Sequence, residues 1–457
     1  MIRNLLNTFA NCFKIPELKS RIIFTLLVLL VCRLISMIPI PGLNGAALAK
    51  YFQENASSGG LMGMMSMFTG GALERCALGG LGIMPYISAT IIIQLLMAVV
   101  PFLSKLAREE GGRAKIVQYG RLLTVVLCLG QGYVMSLGWE NPGKIFNGFT
   151  DKLVLVDSVW GYRILTTLLL TTGTLLLMWL GEQITERGIG NGISLVITIG
   201  IVARLPMAMQ SLWYMFFPPE GVDAKFNAFH AVALILLLFA VIAGVIAVTQ
   251  AQRKIPVQYA QRTVGRKTFA GGSSFMPLRV NYAGVMPVIF AQAILMFPER
   301  ILTVLGQTFN FPFLQSTASH LREGQITYLF LYGLMILFFS YFWVATQFNE
   351  LQISDDLKKN GGYIPGVRPG QATSDFLHTT MSRITLAGAI FLTIIAIIPM
   401  LLTKALNIDY GVAQFFGGTS LLITVGVLLD TMRQMESHLL MRNYDGFLKK
   451  GRVKGRF

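Results

Sequence analysis

The sequence predicts an all-α polytopic membrane protein with ten transmembrane helices, and three observations carry that expectation. Apolar residues fill 54% of the 457 positions and charged residues only 13%, with a mean hydropathy of +0.61, more than a soluble domain of this length tolerates. Apolar runs recur that reach the roughly 20 residues needed to cross a hydrocarbon core of about 30 Å. Lys and Arg gather in alternate connections between those runs, as expected when cations are retained on the cytoplasmic side.

In chain order, residues 1–21 read as a retained cytoplasmic amphipathic segment, because they lack a short apolar core followed by a small-residue cleavage site. The ten spans are expected near 22–40, 76–100, 117–138, 162–181, 192–216, 229–250, 282–304, 326–348, 384–403 and 412–430. Between the first two lies Gly59-Gly60-Leu61-Met62-Gly63-Met64-Met65-Ser66-Met67-Phe68-Thr69-Gly70-Gly71, apolar but too short and glycine-rich to span. It suits a half-helix that re-enters the protein, tolerated at membrane depth only where it is buried or lines a cavity; a loop on the lipid interface is the alternative. The run Gly188-Ile189-Gly190-Asn191-Gly192-Ile193-Ser194 reads as a tight turn into the fifth span.

With both termini inside, the cytoplasmic pieces 1–21, 101–121, 182–191, 251–280, 349–383 and 431–457 carry 27 of the 38 Lys and Arg. The net charge of +16 is thus largely a topology signal. Its sharpest concentration is 251–280, with six basic residues and no acid, a charged arm outside the membrane on which something large and anionic is expected to dock.

Several function classes are excluded or disfavoured. Cys12, Cys32, Cys76 and Cys128 have neither disulfide-like nor metal-ligand spacing, and His230, His320, His378 and His438 form no H-E-x-x-H. There is no G-x-S-x-G and no G-x-x-x-x-G-K-[ST], so no catalytic residue, metal or cofactor is expected. Arg33 and Arg204 are the clear charges at membrane depth, each expected to snorkel to the interface or to cap a backbone carbonyl, and no span carries a central Asp or Glu. A ten-span secondary transporter of a small solute is the alternative function. It would need a polar midplane site that this pattern lacks.

Six blocks, in order, carry a resemblance: Ile38-Pro39-Ile40-Pro41-Gly42; Gly70-Gly71-Ala72-Leu73 with the run from Leu81 to Leu96; Gly188 to Ser194; the basic arm from Gln252 to Lys267; Tyr363-Ile364-Pro365-Gly366-Val367-Arg368-Pro369-Gly370; and Gly417-Gly418-Thr419-Ser420-Leu421-Leu422. With them the chain resembles the SecY family, the channel-forming subunits of the bacterial Sec protein translocase. It departs at Glu74, where Ser or Lys is more usual, and in the wording of its tail.

The resemblance implies two pseudo-symmetric five-helix halves, 22–216 and 217–430, with arms at 251–280 and 349–383 and a basic tail at 431–457. It implies a plug at about 61–74 that includes Leu61, Met62, Met65, Phe68 and Leu73. The pore ring would be Ile83, Ile87, Ile193, Ile197, Ile289 and Ile423, an apolar collar that dewets when empty and yields around a chain. A lateral gate would hold Ser88, Gln131 and Asn281, whose hydrogen bonds, about 0.5–2 kcal/mol each, part at modest cost. Arg253, Lys254, Arg262, Arg266, Lys267 and Arg368 would dock the ribosome, through RNA phosphate and proteins, and the SecA ATPase. The implied function is translocation of unfolded secretory polypeptides across the cytoplasmic membrane and lateral release of membrane proteins into it. The implied partners are SecE, SecG, SecA, the ribosome, signal sequences and nascent chains, the lipid bilayer, SecDF and YidC.

Overall fold

The computed structural model describes residues 15–54, 66, 68–109, 111–142, 149, 151–156, 158–217, 226, 228–259, 262–264, 267–269, 272–309, 311–321, 325–406, 412, 415 and 419–450. Among these, the helices in order are α1 Pro16–Ile35, α2 Gly45–Glu54, α3 Met84–Val99, α4 Pro101–Arg108, α5 Gly112–Glu140, α6 Val159–Arg187, α7 Gly192–Val202, α8 Leu205–Phe216 and α9 Ala228–Gln250. Strands β1 Gln252–Tyr259, β2 Arg262–Val264, β3 Lys267–Phe269 and β4 Ser273–Arg279 follow. The chain continues through α10 Met286–Phe309, α11 Pro312–His320, α12 Ile326–Gln347, α13 Glu350–Lys359, β5 Gly362–Tyr363, α14 Gln371–Leu406 and α15 Thr419–Lys450.

Every one of the ten predicted spans meets a helix. By length and composition, six stretches among the described residues can cross a membrane: 112–140, 159–187, 192–216, 230–250, 326–359 and 371–398. The pair α3–α4, bent by 102° where the chain breaks before Pro101, makes a seventh if the two helices are counted as one broken span rather than a re-entrant loop. Val100 takes an extended conformation ahead of Pro101, as the proline ring's clash with the preceding residue demands. The predicted spans near 22–40, 282–304 and 412–430 fall on α1, α10 and α15.

The chain forms two compact units. One comprises Met1–Ala224, Asp409–Val412 and Ile423–Phe457, the other Lys225–Ile408 and Ala413–Leu422. In the first, α5 packs on α6, α6 on α7, and α1 on both α6 and α7. Its core gathers Ile40, Leu48, Leu73, Trp139, Leu153 and Leu170, each almost fully withdrawn from solvent. Leu18, at the start of α1, packs with Ile189, Met435 and Leu439, so α1 begins six residues before the predicted span and its first turn is a packing surface.

In the second unit, α12 packs on α10 and α14, and the arm is a small sheet of order β4-β1-β5 beside a β2–β3 hairpin. β1 alternates: Ile255 and Val257 are buried while Arg253, Lys254, Pro256 and Gln258 are exposed. Ile255 joins Leu278, Phe348, Ile364, Leu377 and Met381 in one core, which mounts the sheet on the first turns of α14. The fold is therefore predominantly helical, with a strand-built arm that the composition of 251–280, read for charge alone, did not announce.

Candidate functional site

The described part of the segment between α2 and α3 is its centre. Ser66 and Phe68 are helical, and 69–83 runs as turns, buried except for Arg75 and the half-buried Leu78. Gly70 and Gly71 have φ of +64° and +83°, a conformation open to glycine without strain. Gly71 N donates to Ser66 O at 2.8 Å, and Leu73 N donates to Thr69 Oγ1 at 3.4 Å. Residues 76–78 are tied down separately: Ile40 N donates to Cys76 O at 2.9 Å, Leu78 N donates to Ile38 O at 2.8 Å, and Pro39 bridges Ala77.

The segment lies directly on the backbone of α7. A Cβ on Gly200 would come within 2.9 Å of Phe68 O, and one on Gly70 would come equally close to Gly200 Cα. Two arginines reach it from the helices. Arg33 Nη1 donates to Gly70 O at 2.6 Å, the carbonyl cap that the sequence allowed. Arg204 departs from both of its expected roles. Its Nη1 donates to Ser66 Oγ at 2.9 Å and its Nη2 pairs with Glu74 Oε1, which also accepts from Ser66 Oγ at 2.6 Å. Withdrawing a carboxylate from water costs several kcal/mol unless a cation and further hydrogen bonds compensate, and Arg204 and Ser66 supply both. The sequence offered one signal: Glu74 is the sole acid between Glu54 and Glu109.

Beside this segment stand apolar side chains. Ile83 and Ile87 open α3 one turn apart, on a single face, and both are buried. Ile83 lines a small cavity with Arg33, Phe68, Val196 and Gly200. Ile193 and Ile197 repeat the spacing on α7, the first half-buried and the second buried. Ile423 is buried near the start of α15 in the first unit, and Ile289 is buried on α10 in the second. Leu73 is fully buried and Phe68 half-buried, whereas Leu61, Met62 and Met65 lie outside the described residues.

The turn into α7 is more than a turn. Asn191 Oδ1 accepts from Ser194 N at 3.3 Å and caps the helix. Ile189 N donates to Thr25 Oγ1 at 3.1 Å, Gly190 N to Gln434 Oε1 at 2.8 Å, and Gly192 N to Thr185 Oγ1 at 2.9 Å, so α1, α6 and α15 meet here. Of the polar trio, Ser88 Oγ donates to Met84 O at 3.0 Å within its own helix, Gln131 is half-buried on α5, and Asn281 is buried ahead of α10 in the other unit.

On the arm, Arg253 and Lys254 are exposed on β1. Arg262 and Lys267 lie on the paired strands β2 and β3, whose innermost pair is Val264 with Lys267; Arg266 lies outside the described residues. Arg368 is exposed in a pinned turn. Thr373 Oγ1 donates to its carbonyl at 2.9 Å and Ser354 Oγ donates to Gly370 O at 2.6 Å, with Gly366 and Gly370 at φ of +83° and +107°. Among the described residues, no group of three or more His, Cys, Asp or Glu could hold a metal ion.

The family model SecY matches residues 77–432. A protein translocase subunit SecY of Chlamydia trachomatis is 42% identical, over 98% of this chain and 99% of the relative. Among solved structures, a SecY protein whose plug domain stabilises the closed state of the translocation channel and maintains a membrane seal superposes with a TM-score of 0.57 at 20% identity, covering 97% of this chain and 99% of the other. Sec61 in the canine ribosome-channel complex from the endoplasmic reticulum gives 0.51 at 19% identity, with the same coverage.

Proposed function

The chain belongs to the SecY family, and from that premise we propose how its parts divide the work of a protein-conducting channel. It is a multi-pass membrane protein and a translocase subunit, not an enzyme. We assign Ile83, Ile87, Ile193, Ile197, Ile289 and Ile423 to the constriction, and the segment around Phe68 and Leu73 to the plug above it. The carrying observation is the seating of a buried, turn-built segment on Gly200 of α7, beside Ile83 and one turn or less from Ile197. An apolar collar resists ions when dry and offers a passing chain no polar partner to stick to.

The charges at membrane depth argue against solute transport. Arg33, Arg204 and Glu74 are occupied in holding that segment, which leaves them unavailable as a midplane binding site. The basic residues set the orientation: both termini and the arms 251–280 and 349–383 face the cytoplasm of a bacterial inner membrane. There the arm's exposed cations suit ribosomal RNA phosphate, and the pinned Arg368 suits coupling to the SecA ATPase. Ser88, Gln131 and Asn281 form the lateral gate through which a signal sequence leaves for lipid, and SecE and SecG complete the complex.

The test is ion conductance of the purified complex in planar bilayers without substrate. Ile87→Ser with Ile193→Ser should hydrate the constriction and raise idle conductance well above wild type. Equal conductance in the double variant and the wild type would remove these residues from the pore.

A further inference from the structure

The two halves of the segment between α2 and α3 are held by different means. Residues 76–78 are bonded main chain to main chain with 38–40, and the Leu78 carbonyl lies where a side chain at Gly173 of α6 would stand. Residues 66–75, among the described residues, join 76 and 77 through the bonds Cys76 N to Leu73 O and Ala77 N to Ala72 O, lie close against Gly45 and Gly200, pack Ala72 and Leu73 inward, and take side-chain bonds from two arginines. These two are not equivalent. Arg33 holds one carbonyl, at Gly70, in the middle of the loop.

Arg204 grips both ends at once. It bonds Ser66 at the entry and Glu74 at the exit, and Ser66 bonds Glu74, so the two ends of the loop are clasped together with a cation on the clasp. The side chains of Arg204 and Glu74 are 17% and 11% exposed. Arg204 itself is the N-cap residue of α8, where α7 ends, so the clasp is mounted on a helix junction rather than on a freely moving loop. For 66–75 to lift from Gly200, these two groups must separate in a setting poor in water, where an unpaired charge is strongly disfavoured. Arg33's bond to the neutral Gly70 carbonyl carries no such charge pair, and the contacts with Gly200 and Gly45 are backbone packing, which resists sliding far less.

We propose that Arg204 and Glu74 are positioning residues that latch the 66–75 loop onto the α7–α8 junction and set how readily the loop leaves its seat. The consequence for the channel rests on reading this loop as its seal; the latch itself rests on the geometry alone.

The experiment uses the full complex in proteoliposomes. Phe68, half-buried on the loop, is replaced (Phe68→Cys) in a background with the four native cysteines changed to serine, and its reaction with a water-soluble maleimide is timed. Glu74→Gln keeps the shape and removes the charge, and should speed labelling about tenfold. Arg204→Glu should speed it further by setting two carboxylates face to face. Arg204→Lys keeps the cation but not the fork, and should fall between. The exchange Glu74→Arg with Arg204→Glu should return the rate most of the way to wild type, which a purely steric role for either residue would not allow. Labelling of Glu74→Gln at the wild-type rate, or an exchange variant that labels as fast as the single reversals, would overturn the latch. Idle conductance measured in parallel separates the two readings. Labelling that responds while conductance and precursor transport do not leaves the latch standing and removes the seal, whereas unresponsive labelling in a complex that still translocates removes the latch alone.

Discussion

Gly192 shows how little tolerance the junction of α6 and α7 has at the scale of one residue. A Cβ there would stand 1.9 Å from Gly181 O. Gly192→Ala must therefore push the helices apart, at a cost of about 1–3 kcal/mol, and should lower the thermal midpoint of the purified complex. Gly130→Ala, on α5 with nothing within 4 Å of its Cβ, is the control and should be neutral or stabilising by up to about 1 kcal/mol. Arg368 belongs to the opposite class: exposed and turn-mounted, its replacement by Glu should leave the midpoint unchanged while lowering ATP-driven precursor transport at least about tenfold, a loss equivalent to about 1.4 kcal/mol. A variant that fails to accumulate would make Arg368 structural instead. At this scale the isoleucines of the proposed collar were reached through the family resemblance, composition alone favouring core, and the structure adds that Ile83 with Ile87 and Ile193 with Ile197 each share one helix face. The pairing of Glu74 with Arg204 was not legible, because two charges separated by 130 positions leave no periodic trace in a single sequence.

Among the elements, each of the ten apolar segments read from hydropathy meets a helix, six or seven of them long and apolar enough to cross a membrane, but hydropathy did not mark where those helices stop. The structure starts α14 at Gln371, well before the predicted 384, and carries α15 to Lys450, past the predicted 430. Polar turns continue a helix without any apolar signal, and Leu377 and Met381 show what the early start of α14 achieves: they pack under the arm. The sheet in the arm was hidden for a related reason. Ile255 and Val257 do alternate with polar neighbours, but Pro256 between them and the density of charge around them masked the period of two; Pro256 is exposed on its strand. With strands to hold its cations apart, the arm should act as an electrostatic platform. Reversing Arg266 and Lys267 to Glu should weaken co-sedimentation with non-translating ribosomes, and wild-type binding should fall steeply across a salt series. Binding indifferent to both would reduce the arm's charge to a topology signal.

For the whole molecule, the proposed channel asks that a translocating polypeptide meet apolar side chains carried by helices of each compact unit. Ile87, Ile193 and Ile423 lie in one unit and Ile289 in the other. Large apolar groups also face outward, such as Leu122 on α5 and Phe239 on α9, each about two-thirds exposed, at 65% and 66%. Such surface is what lipid covers in a membrane protein, so these positions serve as an internal contrast. The most direct measurement places a photoreactive benzoyl-phenylalanine singly at Ile87, Ile193, Ile289, Ile423, Leu122 and Phe239, arrests a secretory precursor midway through transport, and scores covalent adducts with it. A pore lined by the isoleucines gives adducts at those four positions and none at Leu122 or Phe239. Adducts confined to the lipid-facing pair, or absent from the isoleucines while transport is demonstrably arrested midway, would contradict it.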